Sequence, residues 1–308
     1  MMRLPAFVQR FYKPERDAQR AQRVWRTFDE QRHYDAYLAR CRAACRRAPL
    51  PAGEPELAAR GFVYLPALTP EAARAHAQAL QTGHELQLLK KDSPHLEGFR
   101  VGDRQWLAGF LDEVLRDAVD RAIAGFFGSE YLVHWVAFSL TRAAAEQESV
   151  SFRWHCDKGP SAHLKLIVYL NPTAEHGGNT EFMDLEATMA VARRGYLFGR
   201  SQARTADTAH LAELAGRPLS TELRERRAGE AVLFQPARVL HRGISPRRGP
   251  RLTATLCLLP SPVHWRRAFE AGALSDLAVD DKWHDDALAF LADLQRRLQN
   301  AAPGAATG

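Results

Sequence analysis

Cysteine is scarce: the chain of 308 residues has four, Cys41, Cys45, Cys156 and Cys257. Four thiols cannot form the framework of a protein this long, and no CxxC pair offers a metal or redox motif. The expectation is reduced thiols in a cytoplasmic protein. Long apolar runs are lacking too; nothing approaches the ~18 uncharged apolar residues of a membrane span. The first 17 residues are basic but hold no continuous apolar segment, so a secretory signal is not expected. No P-loop, GxGxxG turn or Ser–His–Asp pattern stands in a convincing context. Internal repeats and long low-complexity segments are also missing.

What is present is a globular composition, 46% hydrophobic and 25% charged, which can build a folded core. The formal net charge is +6, but it is unevenly spread. Residues 1–50 carry +7, 51–192 carry −7, 193–251 carry +8 and 252–308 carry −2. An even basic excess would suggest a polyanion partner. Here the positive charge is confined to two blocks.

Residues 15–47 lack Gly and Pro and read as basic helix, with Val24, Trp25, Phe28, Tyr34, Tyr37 and Leu38 as a sparse apolar stripe. The run 48–53 is a break, so 1–50 is set apart as an N-terminal arm and 51–308 as the main domain. A short β-like run follows at 61–66. Thr69, Pro70 and Glu71 then open a helix as N-cap, first position and first-turn acid. Residues 105–127 carry Leu107, Phe110, Leu111, Val114, Leu115, Val119 and Ile123 on a 3.6 period, which predicts one helix. From Tyr131 the texture is β: strands are expected near 131–141, 150–155, 163–170, 179–183, 195–198, 230–235, 238–241 and 251–258. A polar, Arg-rich insert at 200–228 interrupts them, and helices return at 264–272 and 276–298. The fold class is mainly β with flanking helices, the many short strands suggesting a sandwich or barrel over about 131–260.

The chemistry centres on Arg153-Trp154-His155-Cys156-Asp157. In an extended chain alternate residues share a face, so His155 and Asp157 project together. His241 is the best third ligand. Two His and one carboxylate on one side of an ion leave positions open, the pattern of a non-haem Fe(II) site. Arg251, Thr253 and Thr255 share one face of the last strand. A guanidinium grips a carboxylate through paired hydrogen bonds, and hydroxyls can complete the cradle. On the strand 163–170, His163, Lys165, Ile167 and Tyr169 face one way, and Leu164, Leu166, Val168 and Leu170 the other. A polar face toward a site and an apolar face toward helices is the expected outcome. Arg200 and Arg204, in the second basic block, are candidates for binding a carboxylated substrate.

The ordered set His155-x-Asp157, Tyr169-Leu170-Asn171, Gly177-Gly178-Asn179-Thr180-Glu181-Phe182, Gly229 to Phe234, His241-x-Gly243 and Gly249-x-Arg251 resembles the 2-oxoglutarate/Fe(II)-dependent dioxygenases, in style the prolyl-hydroxylase-like branch. The opening Gly61 to Glu71 resembles the phytanoyl-type members. The resemblance implies a double-stranded β-helix, or jelly-roll, core with Fe(II) on His155, Asp157 and His241. It implies 2-oxoglutarate held by Arg251, with Tyr169 and Thr255 at the same carboxylate, O2 as oxidant and ascorbate as a stimulant. The implied activity is hydroxylation of an unactivated C–H bond in a small molecule, amino acid or peptidyl substrate, with succinate and CO2 as coproducts. Asp157 stands where halogenating relatives have a small residue. The 84 residues from Asp157 to His241 exceed the compact pattern, and the insert 200–228, read as a lid, accounts for the excess. Two other readings stay open. One is a nucleic-acid oxygenase, disfavoured because no second Arg follows Arg251 along its strand. The other is a non-enzymatic jelly-roll binding module.

Overall fold

The computed structural model describes residues 31–82, 86–93, 96–143, 149–157, 160, 162–194, 196, 204–274 and 286–301. Most of the expected basic arm, the strand expected at 195–198 and Arg200 fall outside them. Among the described residues, nine strands form two sheets. The larger is seven-stranded, in the order β1-β7-β5-β9-β4-β3-β2, and the smaller pairs β6 with β8. Their ranges are β1 Phe62–Pro66, β2 Leu86–Ser93, β3 Leu96–Val101, β4 Glu130–Thr141, β5 Leu164–Tyr169, β6 Asn179–Phe182, β7 Glu230–Phe234, β8 His241–Ile244 and β9 Arg251–Ser261. Every pairing is antiparallel.

The two faces of the large sheet do different work. Leu164, Leu166 and Val168 on β5 and Leu252, Ala254, Leu256 and Leu258 on β9 join the main core. Helices α3 (Pro70–Thr82), α4 (Arg104–Val114) and α5 (Asp117–Phe127) supply the other half. The opposite, inner face carries Ile167 and Tyr169, which pack with Phe62, Phe182, Val232, Phe234 and Val239 between the sheets. The alternation expected on 163–170 is therefore observed. On β4 the phase changes at a bulge: Val133 opposes Leu258 and Trp135 opposes Cys257, leaving His134 the extra residue. Val133, Val136 and Phe138 thus face the helices, while Trp135 and Ala137 face inward beside Cys257.

Along β9 the inner face runs Arg251, Thr253, Thr255, Cys257, Leu259, from polar to apolar. The apolar end is closed by both chain ends. Leu132 and Leu259 pack with Tyr34, Tyr37 and Cys41 of α1 (Tyr34–Ala44) and with Phe290, Leu291 and Leu294 of α10 (Ala287–Asn300). Tyr37 donates its hydroxyl proton to the Pro260 carbonyl there. Among the described residues, no helix is long and apolar enough to cross a membrane.

Four local expectations need correction. The expected helix 105–127 is two helices, because the chain turns at Leu115 and Arg116 and re-enters helix at Asp117 with φ 49°. The expected strand 150–155 is a short 3₁₀ turn, Val150–Phe152, begun by Ser149, whose hydroxyl accepts from the Ser151 amide. Only His155 pairs, as an isolated bridge to His241. The strand expected at 238–241 begins at His241, with 235–239 forming a turn. Strands β2 and β3 were not expected at all.

Candidate metal centre

His155 and His241 are tied by a two-hydrogen-bond bridge: the His155 amide donates to the His241 carbonyl at 3.1 Å, and the His241 amide returns at 2.9 Å. The Asp157 amide donates to the Pro236 carbonyl at 2.8 Å. These backbone bonds bring the three side chains together. One potential ligand atom from each lies within 4.8 Å of the others. His155 Nε2 is 3.6 Å from one Asp157 oxygen, and His241 Nε2 is 3.5 Å from the other.

The imidazoles are oriented for ligation. His155 Nδ1 faces the Arg153 carbonyl at 2.7 Å, and His241 Nδ1 faces the Val239 carbonyl at 3.0 Å. A carbonyl only accepts, so Nδ1 carries a proton in both rings and Nε2 is the atom turned toward Asp157. Burial, reinforced by the neighbouring His241, pushes the His155 pKa down to about 3. Its imidazole is neutral at pH 7. Burial works to raise the Asp157 carboxyl, but the Lys165 ammonium and the His241 ring outweigh it and hold it well below the usual carboxylate range. Two imidazoles and a carboxylate suit a divalent transition metal and match the expected triad. Gly243 is small for a reason: an added Cβ would stand 2.9 Å from the Phe152 ring, which packs against β8.

Arg251 opens β9 and is 7% exposed. Its Nη1 donates to the Asn179 carbonyl at 2.8 Å and its Nη2 to Thr180 Oγ1 at 3.1 Å. Its guanidinium carbon stands 5.1 Å from the Tyr169 ring centroid. Its Nε is buried without a partner, and no described carboxylate pairs with it within 4.0 Å. Asn171 explains the Tyr-Leu-Asn motif by clipping the backbone on both sides of Arg251. Its amide donates to the Pro250 carbonyl at 2.9 Å and accepts from the Leu252 amide at 2.8 Å. Tyr169 is fully buried, its hydroxyl 3.2 Å from both Asn179 Oδ1 and Thr180 Oγ1. Thr253 lies opposite Tyr169 in register and Thr255 opposite Ile167. The structure thus gathers Arg251, Tyr169, Thr253 and Thr255 on one inner wall.

The sequence reading missed His176. Its Nδ1 accepts from the Gly178 amide at 2.9 Å, its Nε2 is buried without a partner, and burial together with Arg251 pushes its pKa down to about 4. Buried donors without acceptors are rare in folded proteins. Two of them, Arg251 Nε and His176 Nε2, belong to one electrostatically coupled neighbourhood. Nothing in the local sequence marks His176, which ends a short helix, Thr173–His176, just before Gly177 and Gly178.

Part of the insert backs the metal wall. The Trp154 amide donates to the Thr205 carbonyl at 2.8 Å, and its indole donates to Thr208 Oγ1 at 3.1 Å. Helix α8 (Thr208–Ala215) packs Leu211 and Ala215 with Trp154, Cys156, Met183 and Leu240. Arg242 bridges to Glu181 at 2.7 Å and to the Ala206 carbonyl at 2.7 Å. Of the second block's arginines, Arg247 and Arg248 fold back on 173–176, both backbone amides donating to the His176 carbonyl. Arg204 differs. It is half-buried, donates to the Val150 carbonyl at 3.3 Å, and keeps a buried Nε without a partner. Its charge is felt by both His155 and Asp157.

No protein-family profile matches the chain, and no curated protein matches it. Solved structures do match. One is EctD from S. alaskensis with 2-oxoglutarate and 5-hydroxyectoine, at 15% identity and TM-score 0.45 over 75% of this chain and 82% of that one. Another is the epimerase SnoN with Fe3+, alpha ketoglutarate and nogalamycin RO, at 15% identity and TM-score 0.43 over 73% and 84%. A third is HygX from Streptomyces hygroscopicus with nickel, 2-oxoglutarate and hygromycin B, at 13% identity and TM-score 0.40 over 66% and 84%.

Proposed function

We propose that this protein is a non-haem Fe(II)/2-oxoglutarate-dependent oxygenase with a double-stranded β-helix core, hydroxylating an unactivated C–H bond of a small-molecule, amino-acid or peptidyl substrate. The observation that carries the proposal is a His–Asp–His donor set in the same fold as a buried arginine with no carboxylate partner among the described residues. His155, Asp157 and His241 would hold the iron, and Arg251, with Tyr169, Thr253 and Thr255 around it, would take the distal carboxylate of 2-oxoglutarate. When bound, the metal and cosubstrate supply the activation of O2 and the oxidation of the C–H bond, with release of succinate and CO2.

The chain's own part is positional. The His155–His241 bridge sets the ligand spacing, and the Arg153 and Val239 carbonyls fix both tautomers. Asn171 aims Arg251. The layer from Phe62 to Phe234 keeps water away from the reacting face. Among the described residues near the site, Asp157 is the one acid and Lys165, Arg204 and Arg251 are bases, while Glu181 and Arg242 cancel. Fe(II) and a 2-oxoglutarate dianion add no net charge, so the surplus is positive. This favours a substrate carrying a carboxylate or similar anion, with Arg204 as its partner. Cytoplasmic placement belongs to the same proposal and is supported by four cysteines of which none is in a disulfide.

The test is anaerobic addition of Fe(II) and 2-oxoglutarate, followed by a succinate-release screen over amino acids, peptides and cell extract. A weak visible charge-transfer band and succinate release are expected, both lost in His155→Ala. Absence of both in the unaltered protein would favour a binding module.

A further inference from the structure

Lys165 projects from β5 onto the inner face, between Phe234 of β7 and Cys257 of β9 in register. Its Nζ donates to Asp157 Oδ2 at 2.8 Å and lies 5.1 Å from the Trp135 ring centroid. Both charged side chains are about four-fifths buried, at 20% and 22% exposed. The ammonium is therefore held on two sides, by a carboxylate and by the face of an indole, which attracts cations. A lysine is a costly way to fill an inner-face position unless its charge is used.

We propose that Lys165 is a positioning residue for the metal centre. It occupies one oxygen of Asp157, so that the carboxylate offers the ion a single oxygen in a fixed orientation. This deepens the metal-centre reading and rests on it. Metal ligands are commonly oriented by such outer partners. The two histidines have theirs in the Arg153 and Val239 carbonyls, and Lys165 completes the set for the third ligand. A carboxylate held at one oxygen takes one coordination position instead of two, which preserves the open positions that a bidentate cosubstrate and O2 require.

The experiment uses the full-length apoprotein titrated with Co(II), read by calorimetry and by the visible spectrum of the bound ion. Lys165→Met keeps the length and loses the charge; Lys165→Arg keeps the charge. The expected result for Lys165→Met is a Co(II) affinity lower by about 10- to 100-fold, the range for lost outer partners, with altered visible bands. Lys165→Arg should recover most of both. Unchanged or tighter Co(II) binding in Lys165→Met, with unchanged bands, would overturn the proposal, since simple charge repulsion would then dominate. If Lys165→Met fails to fold, Lys165→Gln serves in its place, judged against the same Lys165→Arg rescue. Asp157→Ala separates the two layers of the argument. If Asp157→Ala binds Co(II) as the unaltered protein does, the metal-centre reading itself fails. If it loses binding while Lys165→Met does not, only the role of Lys165 fails.

Discussion

Arg251→Met removes a buried charge and keeps most of the side chain's volume. Arg251 makes two hydrogen bonds to neutral acceptors, Asn179 and Thr180, together worth about 3–6 kcal/mol if each is charge-assisted. Against this stands a guanidinium with no carboxylate partner, whose burial costs several kcal/mol, on the order of 3–5. The two nearly cancel, so the ligand-free variant should melt within a few degrees of the unaltered protein. Cosubstrate binding behaves differently. Losing one side of a desolvated charge pair costs about 3–5 kcal/mol, a weakening of 2-oxoglutarate by roughly two to three orders of magnitude. At a concentration of about 100 times its Kd, 2-oxoglutarate should add about 2.7 kcal/mol to the metal-loaded protein. At roughly 2–4 °C per kcal/mol this raises Tm by about 5–10 °C. Arg251→Met at the same concentration should gain less than about 0.5 kcal/mol. The assay is thermal melting of the Co(II)-loaded forms with and without 2-oxoglutarate, backed by calorimetric titration. An equal ligand-induced rise in both proteins would refute the reasoning, as would a ligand-free variant that melts 10 °C or more below the unaltered protein.

Three further outcomes are expected. Arg204→Ala should raise the KM of an anionic substrate identified by the succinate screen, by about tenfold or more, and leave that of an uncharged analogue nearly unchanged; equal KM values for the anion in both proteins would remove Arg204 from substrate binding. His163, 2% exposed, has its pKa pushed down to about 4 by burial, while the unfolded chain takes up that proton near 6.5. Stability should therefore be complete above about pH 6.5 and fall as pH drops toward 4, by up to about 3 kcal/mol for this group; urea midpoints at pH 7 and pH 5 check it, and a flat profile would count against a neutral buried His163. Gly229 has φ 87°, and an added Cβ would stand 2.2 Å from the Leu68 carbonyl oxygen, so Gly229→Ala should cost about 3–5 kcal/mol, read as a fall in Tm of 6 °C or more.

How far the sequence could be read depended on the range of the interactions. Alternation on 163–170 and 251–258 is local to each strand, and it separated the helix-facing leucines from the site-facing Lys165, Tyr169, Arg251 and Thr253 correctly. The His-x-Asp pair and distant His were legible because Arg251 and the Gly-rich and Tyr-Leu-Asn segments stand in order around them. Strands β2 and β3 escaped because Leu86–Ser93 includes Lys90, Lys91 and Asp92 and almost no β-branched residues; their strand character comes from pairing with each other and with β4. The break at Leu115 and Arg116 was invisible because the apolar period continues in phase across it, and both helices face the same core. Val150 and Phe152 alternate like a strand, yet Ser149 nucleates a 3₁₀ turn instead. The Lys165–Asp157 pair was not legible, since alternation along one strand says nothing of which residue on another element it meets.

The wall that carries His155, His241 and α8 has its own small apolar cluster around Trp154, Met183, Leu211 and Leu240, separate from the main core on the far side of the large sheet. A small cluster beside a much larger main core implies cooperative units of unequal strength, able to open separately. Amide exchange would then be fastest along β6, β8 and the Trp154 backbone, and slowest along β5 and β9. An ion bound by His155, Asp157 and His241 would lock the weaker unit shut. Metal loss would accordingly loosen one side of the protein and leave the helix-backed sheet intact as a template on which the site can close again.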